Sequence, residues 1–265
     1  MLKYRLASLI EVHPFVWKSA WSAVHHLKFL LPHDKSYFAI RHFGGDQQSL
    51  LLDIGGNDGI SALSFRKLNK NIQILSLEPN TVHRDALSAL KRRDPLFDFK
   101  LVGAGESSGI LNLYSPRYRG VNLHTFASSD PDQVREAVAK SFGESVSKAL
   151  EVEEVSAPIV TVDELDVAPR IIKVDVEGFD YQVLCGAERT ITVHRPYLIV
   201  EACHVDIGPF RAFFQRLDYQ MVNYIVAKAR FVPLNDADIV YETGARNIFA
   251  VPRETLSSLP FGTNS

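Results

Sequence analysis

Short apolar runs alternate along the chain with segments in which apolar residues recur every three or four positions. The short runs have the length of buried strands, and the periodic segments have the pattern of amphipathic helices. The apolar runs predict seven strands, at about 49–54, 72–77, 99–104, 170–176, 197–202, 219–226 and 246–251. The periodic segments predict helices at 15–30, 35–43, 60–69, 81–92, 131–142, 179–191 and 209–217. This alternation predicts an α/β fold with a mostly parallel seven-stranded sheet and helices on both faces.

The alternation is interrupted between residues 105 and 160. The segment GILNLYS suggests an extra strand, and a polar helical stretch follows it. Long insertions beside a sheet often form lids or substrate walls. We therefore predict an N-terminal helical extension over 1–44 and an α/β domain over 45–265, with an insertion at about 115–158.

The N-terminal extension has aromatic and aliphatic residues at helical spacing, among them Trp17, Trp21, Val24 and Phe29. We expect this face to pack on its own domain, and a peripheral contact with a membrane surface or a partner is the alternative. The N-terminal residues lack an apolar core followed by a small-residue cleavage site, so we expect no signal peptide. No apolar stretch reaches the length of a transmembrane helix.

Composition and charge narrow the possible functions. The 265 residues are 46% hydrophobic, which is enough to bury one sizeable core. The formal net charge is −2, and the longest basic cluster, 91–93, is followed at once by Asp94, so we expect no nucleic-acid partner. The two cysteines, Cys185 and Cys203, have neither metal-site spacing nor the number of a disulfide framework. This favours a reducing, cytoplasmic location.

A glycine-rich turn follows the first predicted strand, in LLDIGGNDGI (51–60). Three glycines form the turn into the next helix: Gly55, Gly56 and Gly59. A dinucleotide-binding fingerprint needs glycine at the first, third and sixth positions, whereas Asn57 and Ile60 stand at the third and sixth. The pattern therefore argues against a pyrophosphate site. It still predicts a glycine turn whose backbone a ligand can approach closely.

A second acid ends the next predicted strand. Glu78, in ILSLEPN, lies 23 positions beyond Gly55, and a carboxylate there can accept both hydroxyl hydrogens of a ribose diol. The ligand is then a nucleoside without a pyrophosphate. S-adenosylmethionine fits, because it has a ribose, a cationic sulfonium beside which Asp53 would lie, and a tail that approaches the backbone. The alternative is that Asp53 and the glycines only form a tight structural turn.

The predicted strand at 170–176 carries charges where a central strand is usually apolar. Lys173, Asp175 and Glu177 occupy alternate positions and therefore point to one side. Buried unpaired charges are costly, so these groups must pair or lie at the carboxyl end of the sheet, where ligands bind. A purely structural ion pair of Lys173 with either acid is the alternative.

If S-adenosylmethionine is the ligand, transfer of its methyl group to an acceptor would need positioning and, for a hydroxyl, a base. The candidate bases are Asp175 and Glu177, then Glu201 at the end of PYLIVEA, and His204 just beyond it. Glu201 ends the strand that is predicted to lie beside the charged strand at 170–176, so these groups could converge in one pocket. His204 has an ordinary pKa suited to a base, and a surface role is the alternative. The three acids could instead hold a divalent cation, which is not favoured because Lys173 could neutralise them.

The segment SPRYRGVNLHTF contains polar and aromatic residues suited to binding a sugar or a carboxylated acceptor: Arg117, Tyr118, Arg119, Asn122 and His124. An ordinary polar loop fits the same segment equally well.

Taken in chain order, several segments resemble the FkbM-type methyltransferases. The segments are LLDIGGNDG, LSLEPN, LVGAGESSG, TVDEL, IIKVDVEGFDYQVLCGAERTI and PYLIVEA, over roughly 49–203. The most specific piece is 173–178 with the following Gly186 and Ala187. Two features depart from the commonest pattern of the family, since Gly56 stands where alanine is usual and the insertion at 126–155 is long.

The resemblance implies a Rossmann-like class I methyltransferase fold with S-adenosylmethionine as the cofactor. It implies O-methyl transfer to a hydroxyl of a small molecule or sugar, as in cell-surface glycan or natural-product biosynthesis. The cofactor contacts carried over to this chain are Asp53, Gly55, Gly56, Asn57, Gly59, Glu78 and Ala104. Two other classes fit the Gly-rich turn and the ribose-binding acid, an NAD-dependent oxidoreductase and a catalytically silent nucleoside-binding module.

Overall fold

A computed structural model of the chain describes residues 32–123, 126–176, 178–201, 206–234 and 247–262. The predicted helix at 15–30, with its apolar face, lies outside the described residues, as do the candidate site residues His124, Glu177 and His204.

Strands and helices alternate through most of the described chain. The strands are β1 (Leu50–Ile54), β2 (Gln73–Leu77), β3 (Phe97–Lys100), β4 (Gly103–Ala104), β5 (Gly109–Tyr118), β6 (Val121–Asn122), β7 (Glu151–Val160), β8 (Pro169–Val174), β9 (Tyr197–Glu201), β10 (Tyr219–Ile225), β11 (Arg230–Pro233) and β12 (Asn247–Pro252). The α-helices are α1 (Ile60–Leu68), α2 (Arg84–Arg93), α3 (Pro131–Phe142), α4 (Glu144–Lys148), α5 (Asp180–Cys185), α6 (Glu188–His194) and α7 (Ile207–Arg216). The 3-10 helices are Lys35–His42, Thr81–His83, Val162–Leu165, Val226–Lys228 and Arg253–Ser258.

The larger sheet has eight strands in the order β3-β2-β1-β8-β9-β12-β10-β11. The five strands from β3 to β9 in this order are parallel. Strand β12 is antiparallel to both β9 and β10, and β11 is antiparallel to β10. The architecture is therefore α/β with a mixed sheet.

The prediction of a mostly parallel seven-stranded sheet is wrong. The eighth strand, β11, has only four residues and ends in proline, so its apolar run is shorter than a typical strand. A tight turn through Val226–Lys228 and Ala229, whose φ is 47°, connects β11 to β10 and allows the two strands to pair. Hydrophobic patterning also gives no strand direction, and β12 enters between β9 and β10 from the opposite end.

The predicted strand at 99–104 is divided between two sheets, because β3 belongs to the larger sheet and β4 to a second one. The second sheet has the order β4-β7-β5-β6 and contains a long antiparallel pairing of β5 with β7. Helices α3 and α4 lie between β6 and β7 in the chain and share a buried apolar cluster with this sheet: Tyr118, Val121, Leu123, Val138, Val146 and Leu150.

Both faces of the larger sheet are buried, because alternate residues of its strands point to opposite sides. On one face Leu52 and Ile172 pack with apolar residues of α5, α6 and α7. On the other face Leu51 and Ile171 pack with residues of α1, α2 and the 3-10 helix Lys35–His42. Within the described ranges, no helix is long and apolar enough to cross a membrane.

Candidate active site

A cavity of about 1580 Å³ opens at the carboxyl ends of the parallel strands. It lies where the strand order reverses. From β1, the sheet continues through β2 and β3 on one side and through β8 and β9 on the other. Ligands of open α/β sheets bind at such a crevice. Pockets for one small molecule usually measure about 300–1,000 Å³, so this cavity has room for two molecules.

The glycine-rich turn forms one wall of the cavity. Gly55, Gly56 and Asn57 line it, and the amides of Gly55 and Gly56 donate to the Leu77 carbonyl at 3.0 and 3.1 Å. Gly55 has a φ of +78°, and an added Cβ would lie 1.8 Å from the Asp175 carbonyl oxygen. The close packing of the loops after β1 and β8 therefore requires glycine at this position, whatever ligand binds.

The other two glycines of the motif differ in position, because Gly59 lies beside this wall and Gly56 is part of it. Gly59 is buried, does not line the cavity, and has a φ of +89° just before α1. An added Cβ on Gly56 would lie 2.8 Å from Ser76 Cβ. The Ser76 side chain thus occupies space that a larger residue at 56 would need.

Asp53 lies beneath the cavity and is fully buried. Its Oδ2 accepts hydrogen bonds from the Ser61 and Ser76 hydroxyls, at 2.7 and 2.8 Å. Its Oδ1 is 3.3 Å from Lys173 Nζ. Asp53 does not line the cavity, whereas its partner Lys173 does.

The ammonium group of Lys173 is enclosed by oxygen atoms, and only 1% of the side chain is exposed. Its Nζ donates to the carbonyls of Gly55 and Ile54 at 2.8 and 3.2 Å and lies 3.4 Å from Asp175 Oδ2. Burial lowers the pKa of Lys173, but the carboxylates of Asp53 and Asp175 outweigh it and hold that pKa above its usual value. Lys173 is therefore a charged group that fixes the two strand ends.

Asp175 and Glu201 lie side by side at the ends of neighbouring strands. Val174 pairs with Val200 in register, so the residues that follow them are adjacent, and both acids line the cavity. Burial raises the pKa of Asp175, but Lys173 and a side-chain hydrogen bond with Glu201 lower it, and the pKa lies below its usual value. A hydrogen bond between two carboxyl groups requires one proton.

Glu78 ends β2 on the other side of the turn and is 8% exposed. Its Oε2 accepts from the Asn57 amide and its Oε1 from the Asn80 amide, both at 2.8 Å. Burial raises the pKa of Glu78, and the two amides only partly offset this effect. Each oxygen keeps further acceptor capacity toward the cavity, which Glu78 and Ala104 both line.

His33 is a cavity residue that the sequence patterns did not single out. Its Nδ1 lies 3.1 Å from the Ser64 hydroxyl, which donates its hydrogen to the Ile60 carbonyl, so Nδ1 carries the hydrogen of the neutral ring. The surrounding protein desolvates the ring and lowers the pKa of His33. No sequence signal marks this residue, because its position depends on the contact with α1.

The candidate acceptor residues Arg117, Tyr118, Arg119 and Asn122 do not line the cavity. They lie in the β5–β6 hairpin, where β5 has extended past the cavity. The second sheet instead contributes Leu111, Leu113 and Ile159 to the wall, followed by 127–129 and Gln133. Among the residues that the structure describes, no three His, Cys, Asp or Glu side chains are grouped so as to hold a metal ion.

Similarity to known proteins is found among solved structures and family models. A comparison with curated proteins finds no match. Among solved structures, the chain is similar to methyltransferase FkbM from Methylobacillus flagellatus KT, with 18% identity, a TM-score of 0.49 and coverage of 78% of this chain and 44% of that one, so it spans less than half of that protein. It is also similar to precorrin-6y C5,15-methyltransferase from Geobacter metallireducens GS-15, with 8% identity, a TM-score of 0.40 and coverage of 82% and 84%. The model of the methyltransferase FkbM domain matches residues 53–221, more than half of the chain, and the chain therefore belongs to the FkbM methyltransferase family.

Proposed function

We propose that this methyltransferase uses S-adenosylmethionine and transfers a methyl group to a hydroxyl of a small molecule or sugar, of the kind found in cell-surface glycans or natural products. The observation that carries the proposal is one cavity that has the glycine turn and Glu78 on one wall and the Asp175–Glu201 pair beside them. Its volume of about 1580 Å³ accommodates both a nucleoside and an acceptor.

The chemistry of the first wall fits the nucleoside. Glu78 is held by the amides of Asn57 and Asn80 with acceptor capacity left for a ribose diol. The backbone at 55–57 borders the cavity without bulky side chains at the two glycines, so the amino-acid tail can approach it. S-adenosylmethionine supplies a methyl group on a cationic sulfonium, which suits a cavity bordered by the carboxylates of Glu78 and Asp175.

Asp175 is the described residue best suited to take the proton of an acceptor hydroxyl. Its carboxyl is 30% exposed, whereas Lys173 is enclosed and holds Asp175 in its ionised form. A positioned base contributes about 10²–10⁴ in rate. Lys173 and Asp53 act as positioning residues, and Glu177 and His204 remain proposed bases that lie outside the described ranges.

The acceptor would lie between the second sheet and the end of β10. Leu111 and Leu113 provide an apolar surface on one side, and Asn223 and Ile225 border the cavity on the other. A cytoplasmic location is part of the proposal, since two cysteines favour a reducing compartment.

Calorimetric titration with S-adenosylmethionine, S-adenosylhomocysteine and NAD tests the cofactor. We expect the two adenosyl ligands to bind and to stabilise the protein by about 2.7 kcal/mol at 100 times the dissociation constant. Glu78→Gln should weaken S-adenosylhomocysteine binding by about tenfold or more, because it removes the charge from the diol contact. Glu254→Gln, on the exposed Arg195 ion pair, is the matched control. Binding of NAD alone would instead favour an oxidoreductase.

A further inference from the structure

We propose that Asn223 and Asn247 bind the acceptor, and that the acceptor is an uncharged saccharide or glycoside of more than one ring. The proposal rests on the proposed function and deepens it, because it assigns two binding residues and a substrate class to the part of the cavity that lies away from Glu78. Both asparagines line the cavity, and they come from the neighbouring strands β10 and β12.

Asn223 is a buried polar residue near the carboxyl end of β10, with 7% of its surface exposed. Within the part of the chain that the structure describes, its side-chain amide has no hydrogen-bond partner. A buried amide without partners is unfavourable in the free protein, so it is typical of a position that binds a ligand. Because Asn223 lines the cavity, a molecule in the cavity can supply the missing partners.

Asn247 begins β12, is 4% exposed, and offers one defined group to a ligand. Its Nδ2 donates to Asp34 Oδ2 at 3.1 Å and to Ser36 Oγ at 2.9 Å. An ionised carboxylate accepts and cannot donate, so the NH₂ group must face Asp34 and the amide oxygen Oδ1 must point away from it. Both amide hydrogens are used in these two bonds. A ligand group on Asn247 must therefore donate a hydrogen to Oδ1.

The two amides together favour hydroxyl groups over charged groups. A hydroxyl both donates and accepts, so it can donate to Asn247 Oδ1 and can pair with either end of the Asn223 amide. A carboxylate has no hydrogen to donate to Asn247, and an ammonium group cannot accept from the NH₂ group of Asn223. A site built to pair with a hydroxyl strongly rejects an analogue that lacks it. We therefore expect the acceptor to have further hydroxyls besides the one that is methylated.

The strand order sets the size of the acceptor. Asp175 follows β8, and the next strands of the sheet are β9, β12 and β10. Neighbouring strands lie about 4.8 Å apart, so roughly 10 Å separates β8 from β12 and roughly 14 Å separates β8 from β10. An acceptor with its reacting hydroxyl at Asp175 and other hydroxyls at the two asparagines is therefore longer than one sugar ring.

The two asparagines approach this acceptor from opposite faces of the sheet. Val222 pairs with Phe249, and directly opposite residues share a face. Asn247 is two residues from Phe249 and lies on that face, whereas Asn223 follows Val222 and lies on the other. One ligand that crosses the carboxyl edge of the sheet contacts both, and each asparagine can be tested independently.

Methyl transfer from radiolabelled S-adenosylmethionine to a panel of saccharides tests the substrate class. The neutral arm contains the methyl glycosides of common hexoses, pentoses and deoxyhexoses together with their disaccharides, and the anionic arm contains the matching uronic acids. We expect the wild type to methylate at least one neutral disaccharide, with a kcat/KM at least about tenfold above its component monosaccharides and above the uronic acids.

Leucine variants separate acceptor binding from folding. Asn223→Leu removes an amide that has no partner, so its urea midpoint should equal or exceed that of the wild type, while kcat/KM for the best saccharide should fall by about tenfold or more. Asn247→Leu should lower activity and stability together, because Asp34 and Ser36 lose their donor. Both variants should keep S-adenosylhomocysteine affinity within about twofold. The control is Asn112→Leu, an exposed amide on the face of β5 that points away from the cavity, and it should keep wild-type kinetics.

A lower urea midpoint for Asn223→Leu would overturn the proposal, because it would reveal a structural partner for the amide. Faster transfer to the uronic acids, or no transfer to any neutral saccharide by a protein that binds S-adenosylhomocysteine, would refute the substrate class while leaving the cofactor in place. Failure of the wild type to bind either adenosyl ligand would refute the proposed cofactor and this proposal together.

Discussion

Replacing Lys173 with methionine removes the ammonium from the centre of the site and keeps most of the volume of the side chain. The exposed part of Asp175 can be rehydrated, but Asp53 is fully buried and would keep only the Ser61 and Ser76 hydroxyls, both on Oδ2. Breaking a buried pair by removing one partner typically costs about 3–5 kcal/mol. We expect Lys173→Met to lower the free energy of unfolding by that amount.

Urea unfolding at pH 7 measures this loss, and a double-mutant cycle assigns it. Asp53→Asn removes the buried charge while keeping the shape, so the double variant Lys173→Met/Asp53→Asn should be more stable than the sum of the single effects, by about 1–3 kcal/mol. Lys91→Met, in an exposed pair with Asp98, is the matched control and should change stability by less than about 1 kcal/mol. A loss below about 1 kcal/mol for Lys173→Met, or strictly additive effects, would refute the buried-pair reasoning.

Three further predictions concern the same region. Gly55→Ala should destabilise the protein even without ligand, because the new Cβ would lie 1.8 Å from the Asp175 carbonyl oxygen. Gly109→Ala is the control, since an added Cβ there has no atom within 4 Å. Urea unfolding of both variants checks this prediction, and equal stabilities would contradict it. The pKa of Asp175 is lower in the folded state than in the unfolded state. The ionised carboxylate therefore stabilises the folded protein at a pH above its pKa in the unfolded state, and this stabilisation is lost as the pH falls. The difference in unfolding free energy between wild type and Asp175→Asn should shrink from pH 6 to pH 3. NMR titration should give His33 a pKa below 6.5 with hydrogen on Nδ1, and Ser64→Ala should loosen this tautomer; a pKa above 6.5 would contradict the desolvation argument.

The sequence by itself identified the local parts of the site. The strand before Gly55, the turn and the acid at Glu78 are adjacent along the chain or end consecutive strands, so spacing and residue type suffice to recognise them. The alternation of Lys173 and Asp175 likewise showed charges that must pair or face a ligand. Helix α3 was predicted at its observed bounds, 131–142, from its periodic apolar positions, and in the structure Asp130 caps it and Pro131 is its first residue.

The tertiary structure decided which of these parts meet. Lys173 pairs with Asp53 as well as with Asp175 because β8 inserts beside β1, and a strand order of this kind is not encoded in hydrophobic periodicity. Glu201 and His33 reach the same cavity through long-range packing, on β9 and against α1. The strand at 246–251 and an extra strand in GILNLYS were predicted, but the antiparallel direction of β12 and the pairing of β5 in a second sheet were not. The physical reason is the same for both, because patterning shows which face of an element is buried, whereas pairing depends on contacts between distant residues.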